Sequence, residues 1–256
     1  MTSLRAVLTY HSLDHSGSPI SIEPASFAAH ARWLASSSVR VVSLDTLVRE
    51  VRGGEDAGDA VAITFDDGFA NFGAHAAPLL TELGLPATVF VVSAHVGRTN
   101  VWSGTPDNGI PTLPLLDWHA LGQLAEGGIS LGGHTRSHAW LDSLSGAALE
   151  DEIAGGAEDM VAQLGRRPTA FAYPYGATSH DAARCVSRHF EVGVTTRFHH
   201  LGAGDDAMLL PRLDAYYFRR PDGLRHWGSV RFRAYLRVRA AARAARAASL
   251  RMRAAR

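Results

Sequence analysis

Three short stretches hold the residues whose types and spacing could do chemistry. Asp66 and Asp67 stand side by side in Ile63-Thr64-Phe65-Asp66-Asp67-Gly68, directly after the apolar run Ala60-Val61-Ala62-Ile63. A buried strand that ends in two carboxylates and a glycine delivers charge to its own tip, although Asp-Gly alone is also a common turn signal. The second stretch is Gly132-Gly133-His134-Thr135-Arg136-Ser137-His138. Its two imidazoles can reach one metal if the chain turns after His134, and the paired glycines permit close backbone approach. With 13 histidines in the chain, one such pair carries little weight alone. A strand-end carboxylate combined with two strand-end imidazoles, however, makes a three-ligand site with open positions, as catalytic zinc requires. The third stretch, Phe171-Ala172-Tyr173-Pro174-Tyr175-Gly176, reads either as a Pro-Gly turn packing its aromatics on a sheet or as a cleft wall. In the second reading it aims a backbone N–H at a developing oxyanion.

The elements that must position these residues alternate along the chain. Apolar runs at 5–10, 39–42, 60–65, 87–94, 129–131, 169–172, 191–195 and 208–216 read as strands. Helix signals lie between them. Pro24 and Ser26 open one segment; Ser43 caps residues 44–52; Pro78 starts 79–83; Asp117 caps 118–125; and Ser145 caps a longer helix ended by Gly165. Repeated strand-helix order with short connections predicts a parallel sheet covered by helices, and seven or eight units favour a barrel over a doubly wound sheet. In such a barrel the strand ends open on one face. That face would gather His11, Asp66, Asp67, Ser93, His95, His134, Tyr173, Tyr175, Arg197–His200, Arg212 and Asp214. The long irregular stretch 95–114 contains Trp102, which suggests a substrate wall.

At 256 residues the chain can form one large domain. A single cysteine, Cys185, excludes a disulfide framework and a Cys-based zinc site, so any metal falls to His and carboxylate. The strand-like start leaves no room for an export signal and no run approaches 18 apolar residues. The expectation is a soluble, cytoplasmic protein. Nine of the 25 arginines fall between Arg231 and Arg256, where there is no acid, leaving 16 against 25 acids in residues 1–230. We therefore divide the chain into a domain over 1–228 and an Arg/Ala-rich tail over 229–256. The tail reads as an edge strand over 230–239 followed by a cationic helix, which would attach to an anionic membrane surface at the inner face of the membrane, or as a disordered, solvated appendage. Nucleic acid is not expected, since the tail has few aromatics and the domain is acidic.

Taken in order, Thr64–Gly68, His134–His138 and Ala172–Gly176 resemble the polysaccharide deacetylase family with the NodB homology domain, carbohydrate esterase family four. Leu8-Thr9-Tyr10-His11 and Pro86–Val91 are similar to the branch acting on bacterial exopolysaccharides. The resemblance implies a distorted (β/α) barrel of about seven parallel strands. It implies that Asp67, His134 and His138 bind a divalent metal, usually zinc, that Asp66 is the catalytic base, and that the N–H of Tyr175 holds the oxyanion. The implied reaction is hydrolytic removal of N-acetyl groups from amino sugars in a poly- or oligosaccharide or lipid-linked glycan, such as a chitooligosaccharide. An inactive glycan-binding module or an amidohydrolase acting on a non-sugar amide are the alternatives. Two departures stand out. The arginine that usually pairs with the base is replaced by Ala172, for which Arg212 is the candidate substitute. The usual late Leu-x-His is absent, leaving His200 or His199 to protonate the leaving amine, with His11 as a partner that orients the site.

Overall fold

In a computed structural model of the chain, residues 3–54 and 57–254 are described; Met1, Thr2, Glu55, Asp56, Ala255 and Arg256 lie outside it. The chain enters as β1 (Arg5–Tyr10), passes a short parallel pair, β2 (Ser12–Leu13) and β3 (Ser21–Ile22), and turns into α1 (Pro24–Ser36). β4 (Arg40–Val41) and α2 (Leu44–Arg52) follow, the Ser43 hydroxyl accepting the Thr46 N–H at 3.2 Å as the sequence predicts. β5 (Ala60–Phe65) is buried along its whole length. It pairs in parallel with β1, Arg5 opposite Ala60 through to Tyr10 opposite Phe65. Its other edge is shared between β4 at its start and β6 (Ala87–Val91) at its end, the latter reached through α3 (Ala77–Glu82).

The sheet continues in parallel through β7 (Ser130–Gly133), β8 (Ala170–Ala172) and β9 (Val192–Val194). Between them run α4 (Trp118–Glu126), the nearly continuous pair α5 (Gly146–Glu150) and α6 (Gly156–Leu164), and α7 (His180–His189). β10 (Leu213–Asp214) pairs with the free edge of β1, and a bridge from Val194 to Leu210 brings the two ends of the sheet together. The result is the expected distorted barrel: a curled half-barrel of seven parallel strands, with β4 alongside. β7 fits because it carries glycines. A Cβ on Gly132 would stand 2.4 Å from the Phe90 ring, and one on Gly133 2.9 Å from Phe190.

Several expectations are corrected. Ser145 makes no side-chain cap to α5. α7, capped by Ser179 on the Ala182 N–H at 3.1 Å, is a further helix beyond those expected. The run 208–216 is a strand only at Leu213–Asp214, because Asp214 accepts the Tyr216 N–H at 3.0 Å and turns the chain into a tight helical turn. Among its described residues the tail contains no edge strand. Val230–Ala254 is one helix, α8. Phe232 and Leu236, one turn apart, are buried in the main core, so what reads as alternation is the inward face of a helix. α8 therefore shares the core of residues 1–228. Trp227 donates to the Leu4 carbonyl, and Arg243 donates to the Thr196 carbonyl and the Tyr217 hydroxyl. No helix among the described residues is long and apolar enough to cross a membrane.

Candidate active site

β5 hands its last hydrogen bond to Asp66, whose N–H donates to the Tyr10 carbonyl at 2.9 Å. The chain then reverses, with φ of 71° at Asp67 and 73° at Gly68. Left-handed backbone costs a residue with a Cβ roughly 1–2 kcal/mol. Among the described residues four non-glycines adopt it: Asp67, Thr135, His138 and Tyr175. All four lie in the three stretches singled out by chemistry, and strain concentrated in this way is a mark of functional sites.

The turns bring Asp67, His134 and His138 together. Asp67 Oδ1 lies 3.3 Å from Nε2 of His134 and 3.3 Å from Nε2 of His138, and all three residues are buried. The His134 Nδ1–H donates to the Ala172 carbonyl at 2.7 Å, which leaves its Nε2 lone pair facing Asp67. Asp67 Oδ1 has no hydrogen-bond partner despite its burial. A carboxylate oxygen facing imidazole lone pairs needs a proton or a cation between them, so this donor set fits a divalent metal. Burial alone would raise the Asp67 pKa, yet the two imidazoles hold it well below the carboxylate range. Burial likewise opposes a charged His134, and the Asp67 and Asp66 carboxylates nonetheless hold its pKa above the ordinary value.

Asp66 faces a different partner. Arg212 reaches it with both terminal nitrogens, NH1 to Oδ1 at 2.6 Å and NH2 to Oδ2 at 2.7 Å. The guanidinium is fully buried, and its Nε donates to the Thr195 carbonyl at 3.0 Å. Against the burial that would raise it, this pairing, with His11 contributing, holds the Asp66 pKa below its usual value. Arg212 is thus the cation paired with Asp66. His11 Nε2 lies 3.6 Å from Asp66 Oδ2, its side chain 24% exposed at the rim. Tyr175 packs edge-on against His138, ring centroids 4.5 Å apart, and Trp102 from the long loop stacks on the same imidazole at 4.5 Å. Trp140, 54% exposed, lies flat on Tyr175 at 4.0 Å.

His200 is not in the site. Its Nδ1–H donates to the Leu201 carbonyl at 3.1 Å, and the Leu201 N–H donates to the carbonyl of Arg5, the first residue of β1. The site lies at the far end of that strand, about 16 Å away at strand rise. The segment after β9 descends to the opposite end of the barrel, and takes His199 and His200 with it. Ser93 is likewise committed elsewhere, donating to Asp159 at 2.7 Å.

Two contributors carry no signal in the sequence. Glu152 accepts the N–H groups of Arg136 and Ser137 at 3.1 and 2.9 Å and the Ser137 hydroxyl at 2.6 Å, clamping the turn between the two histidines. Arg136 is tied in turn to Asp159 by two hydrogen bonds. A second triad, Glu150, Cys185 and His189, is also close enough to hold a metal. There, however, Arg188 and His189 already occupy the carboxylate, and burial with the Glu150 charge pushes the thiol up to about 12, so it stays protonated.

The family model described as polysaccharide deacetylase matches residues 53–192, more than half of the chain. YxkH of Bacillus subtilis is 24% identical over 192 residues, 74% of this chain and 63% of the relative. The poly-β-1,6-N-acetyl-D-glucosamine N-deacetylase of Staphylococcus epidermidis is 24% identical over 204 residues, 75% of this chain and 67% of that protein. The chain spans about two thirds of the length of these curated relatives. Its fold is similar to that of the Streptococcus pyogenes deacetylase PplD in complex with acetate, with TM-score 0.75, 20% identity and coverage of 88% and 97% of the two chains. The matched family span contains Asp66, Asp67, His134, His138 and Tyr175, whereas His11 and Arg212 lie outside it.

Proposed function

We propose that this chain, which belongs to the polysaccharide deacetylase family, is a metal-dependent hydrolase that removes N-acetyl groups from amino sugars of a glycan and releases acetate. The observation that carries the reading is the pairing of two adjacent carboxylates with opposite partners: Asp67 Oδ1 unpaired between two imidazole Nε2 atoms, and Asp66 gripped by Arg212. Asp67, His134 and His138 would hold the metal, and a nitrogen-rich three-ligand set of this kind suits zinc. Bound there, the metal supplies a Lewis acid that lowers the pKa of a water molecule and polarises an acetamide carbonyl. Asp66, kept ionised by Arg212, takes the proton of the attacking water. The Tyr175 N–H donates to the oxyanion that develops on the carbonyl oxygen. His11, beside Asp66 and partly open to solvent, takes the place expected of His200 and protonates the departing amine. Trp102, Tyr175 and the exposed Trp140 surround His138 with aromatic surface of the kind that packs against a sugar ring.

The substrate of the Staphylococcus epidermidis relative, poly-β-1,6-N-acetyl-D-glucosamine, is the first glycan to test. Mass spectrometry of N-acetylated oligosaccharides incubated with the zinc-loaded protein should show loss of about 42 Da per event, the acetyl-for-hydrogen difference of amide hydrolysis. Asp66→Asn should retain zinc and lower turnover by about 10²–10⁴-fold. Binding without acetate release across the whole panel would instead make the protein a catalytically silent glycan-binding member of the fold.

A further inference from the structure

Beside the barrel, the turn over 216–226 and the first turns of α8 enclose a cleft of about 630 Å³ that the proposed reaction does not use. Its floor is apolar: Phe218 and Phe232 are buried with stacked rings 5.5 Å apart. Its rim is cationic. Arg219, Arg220, Arg231 and Arg239 line it together with His226, and all five are exposed. No carboxylate lines the cleft, and among the described residues none of these four arginines forms an ion pair with an acid. Asp222, in the same turn, is exposed and outside the lining, and no acid follows it in the chain. Elsewhere on this molecule arginines are matched, as in Arg40 with Glu50, Arg136 with Asp159 and Arg197 with Asp205. Four unmatched guanidiniums at one cleft repel one another unless an anion joins them.

The rim is also ordered by aromatic contacts. Arg219 lies over the Tyr216 ring at 4.7 Å, and Arg239 lies over Tyr217 at 5.2 Å and Tyr235 at 5.4 Å. Arg239 Nε donates to the Tyr235 hydroxyl at 3.2 Å. Stacking holds the planar forks in place while their remaining N–H donors stay available, so less rotamer freedom is lost when an anion arrives. Four guanidinium forks lining one space match a multivalent oxyanion better than a single carboxylate.

From this we infer that the cleft is a second binding site, for phosphoryl groups, separate from the Asp66–Asp67 centre. The phosphoryl group could belong to a free phosphate or pyrophosphate or to the headgroup of an anionic lipid, and the test separates these sources. The full chain is titrated calorimetrically with phosphate, pyrophosphate and glucuronate. It is also sedimented with phosphatidylglycerol vesicles and with phosphatidylcholine vesicles. The same measurements are made on Arg219→Gln/Arg231→Gln and on a control of equal charge change at another face, Arg166→Gln/Arg184→Gln, each checked for an unchanged melting temperature. Binding of pyrophosphate or phosphate that weakens at least tenfold in the cleft variant but not in the control supports a soluble ligand. Recovery with phosphatidylglycerol alone, lost only in the cleft variant, supports a lipid headgroup. Equal loss in both variants, glucuronate binding as tightly as pyrophosphate, or no binding to any probe would overturn the assignment.

Discussion

Asp66 and Asp67 are neighbours in sequence and yet have separate surroundings, because the left-handed turn at Asp67 sends one carboxylate toward the histidines and leaves the other against Arg212. The four motif residues were legible because each triad partner sits in a short stretch with its own pattern. The Arg212 pairing was only half legible: the gap at Ala172 could be seen, but the partner comes from 146 residues away, and depends on β10 lying beside β1. This pairing gives a pH prediction. A base must be ionised, so activity falls as pH drops through its pKa, and a cation lowers that pKa. In Arg212→Met the acidic limb of kcat/KM should therefore move to higher pH. Thermal unfolding should also show a loss of about 3–5 kcal/mol, since the buried carboxylate is left uncompensated. An unmoved acidic limb would exclude Asp66 as the titrating base. His11→Gln tests the acid. It should retain zinc and lower kcat by about 10²–10⁴-fold.

At the scale of elements, the site depends on how the segment after β7 is held. His134 continues the β7 ladder, its N–H donating to Val91, but His138 lies beyond the left-handed Thr135, is itself left-handed, and is fixed by contacts from elsewhere. Glu152, at the junction of α5 and α6, accepts three hydrogen bonds from Arg136 and Ser137. In sequence it is one more acid on an amphipathic helix, because nothing in a helical pattern records what an outward carboxylate touches. Glu152→Ala should therefore weaken zinc binding by about 10–100-fold, the range for groups that orient metal ligands. Competition with a chromophoric chelator measures this, and an unchanged affinity would show that Trp102 and Tyr175 suffice to position His138. The misplacement of His200 has a related cause. A strand-like run followed by two histidines looks like another strand end at the cleft, whereas the chain after β9 returns to the level of Arg5.

At the scale of the whole molecule, closure of the half-barrel rests on contacts between segments far apart in sequence, and one of them is titratable. His30 on α1 is buried, with Nε2 2.8 Å from the Arg220 carbonyl and Nδ1 3.2 Å from the Tyr10 hydroxyl. A carbonyl can only accept, so Nε2 carries the proton and Nδ1 accepts from Tyr10. The neutral ring is thus satisfied on both sides and ties the end of β1 to α1 and to the turn that leads into α8. A second proton would replace that acceptor with a donor in a buried setting. Burial accordingly holds the His30 pKa below its ordinary value, although the Arg220 and Phe218 carbonyls and the Asp222 charge oppose the shift. Above the unfolded value of about 6.5 the ring is neutral in both states and stability is full. Below it the unfolded chain takes up a proton that the folded chain resists, so stability falls by up to about 1.4 kcal/mol per pH unit until the folded pKa is reached. His30→Gln, which keeps one donor and one acceptor but does not titrate, should melt below the parent at pH 7.5, with the gap narrowing at pH 5.5. A gap of equal size at both pH values would show that the acid sensitivity of the barrel lies elsewhere.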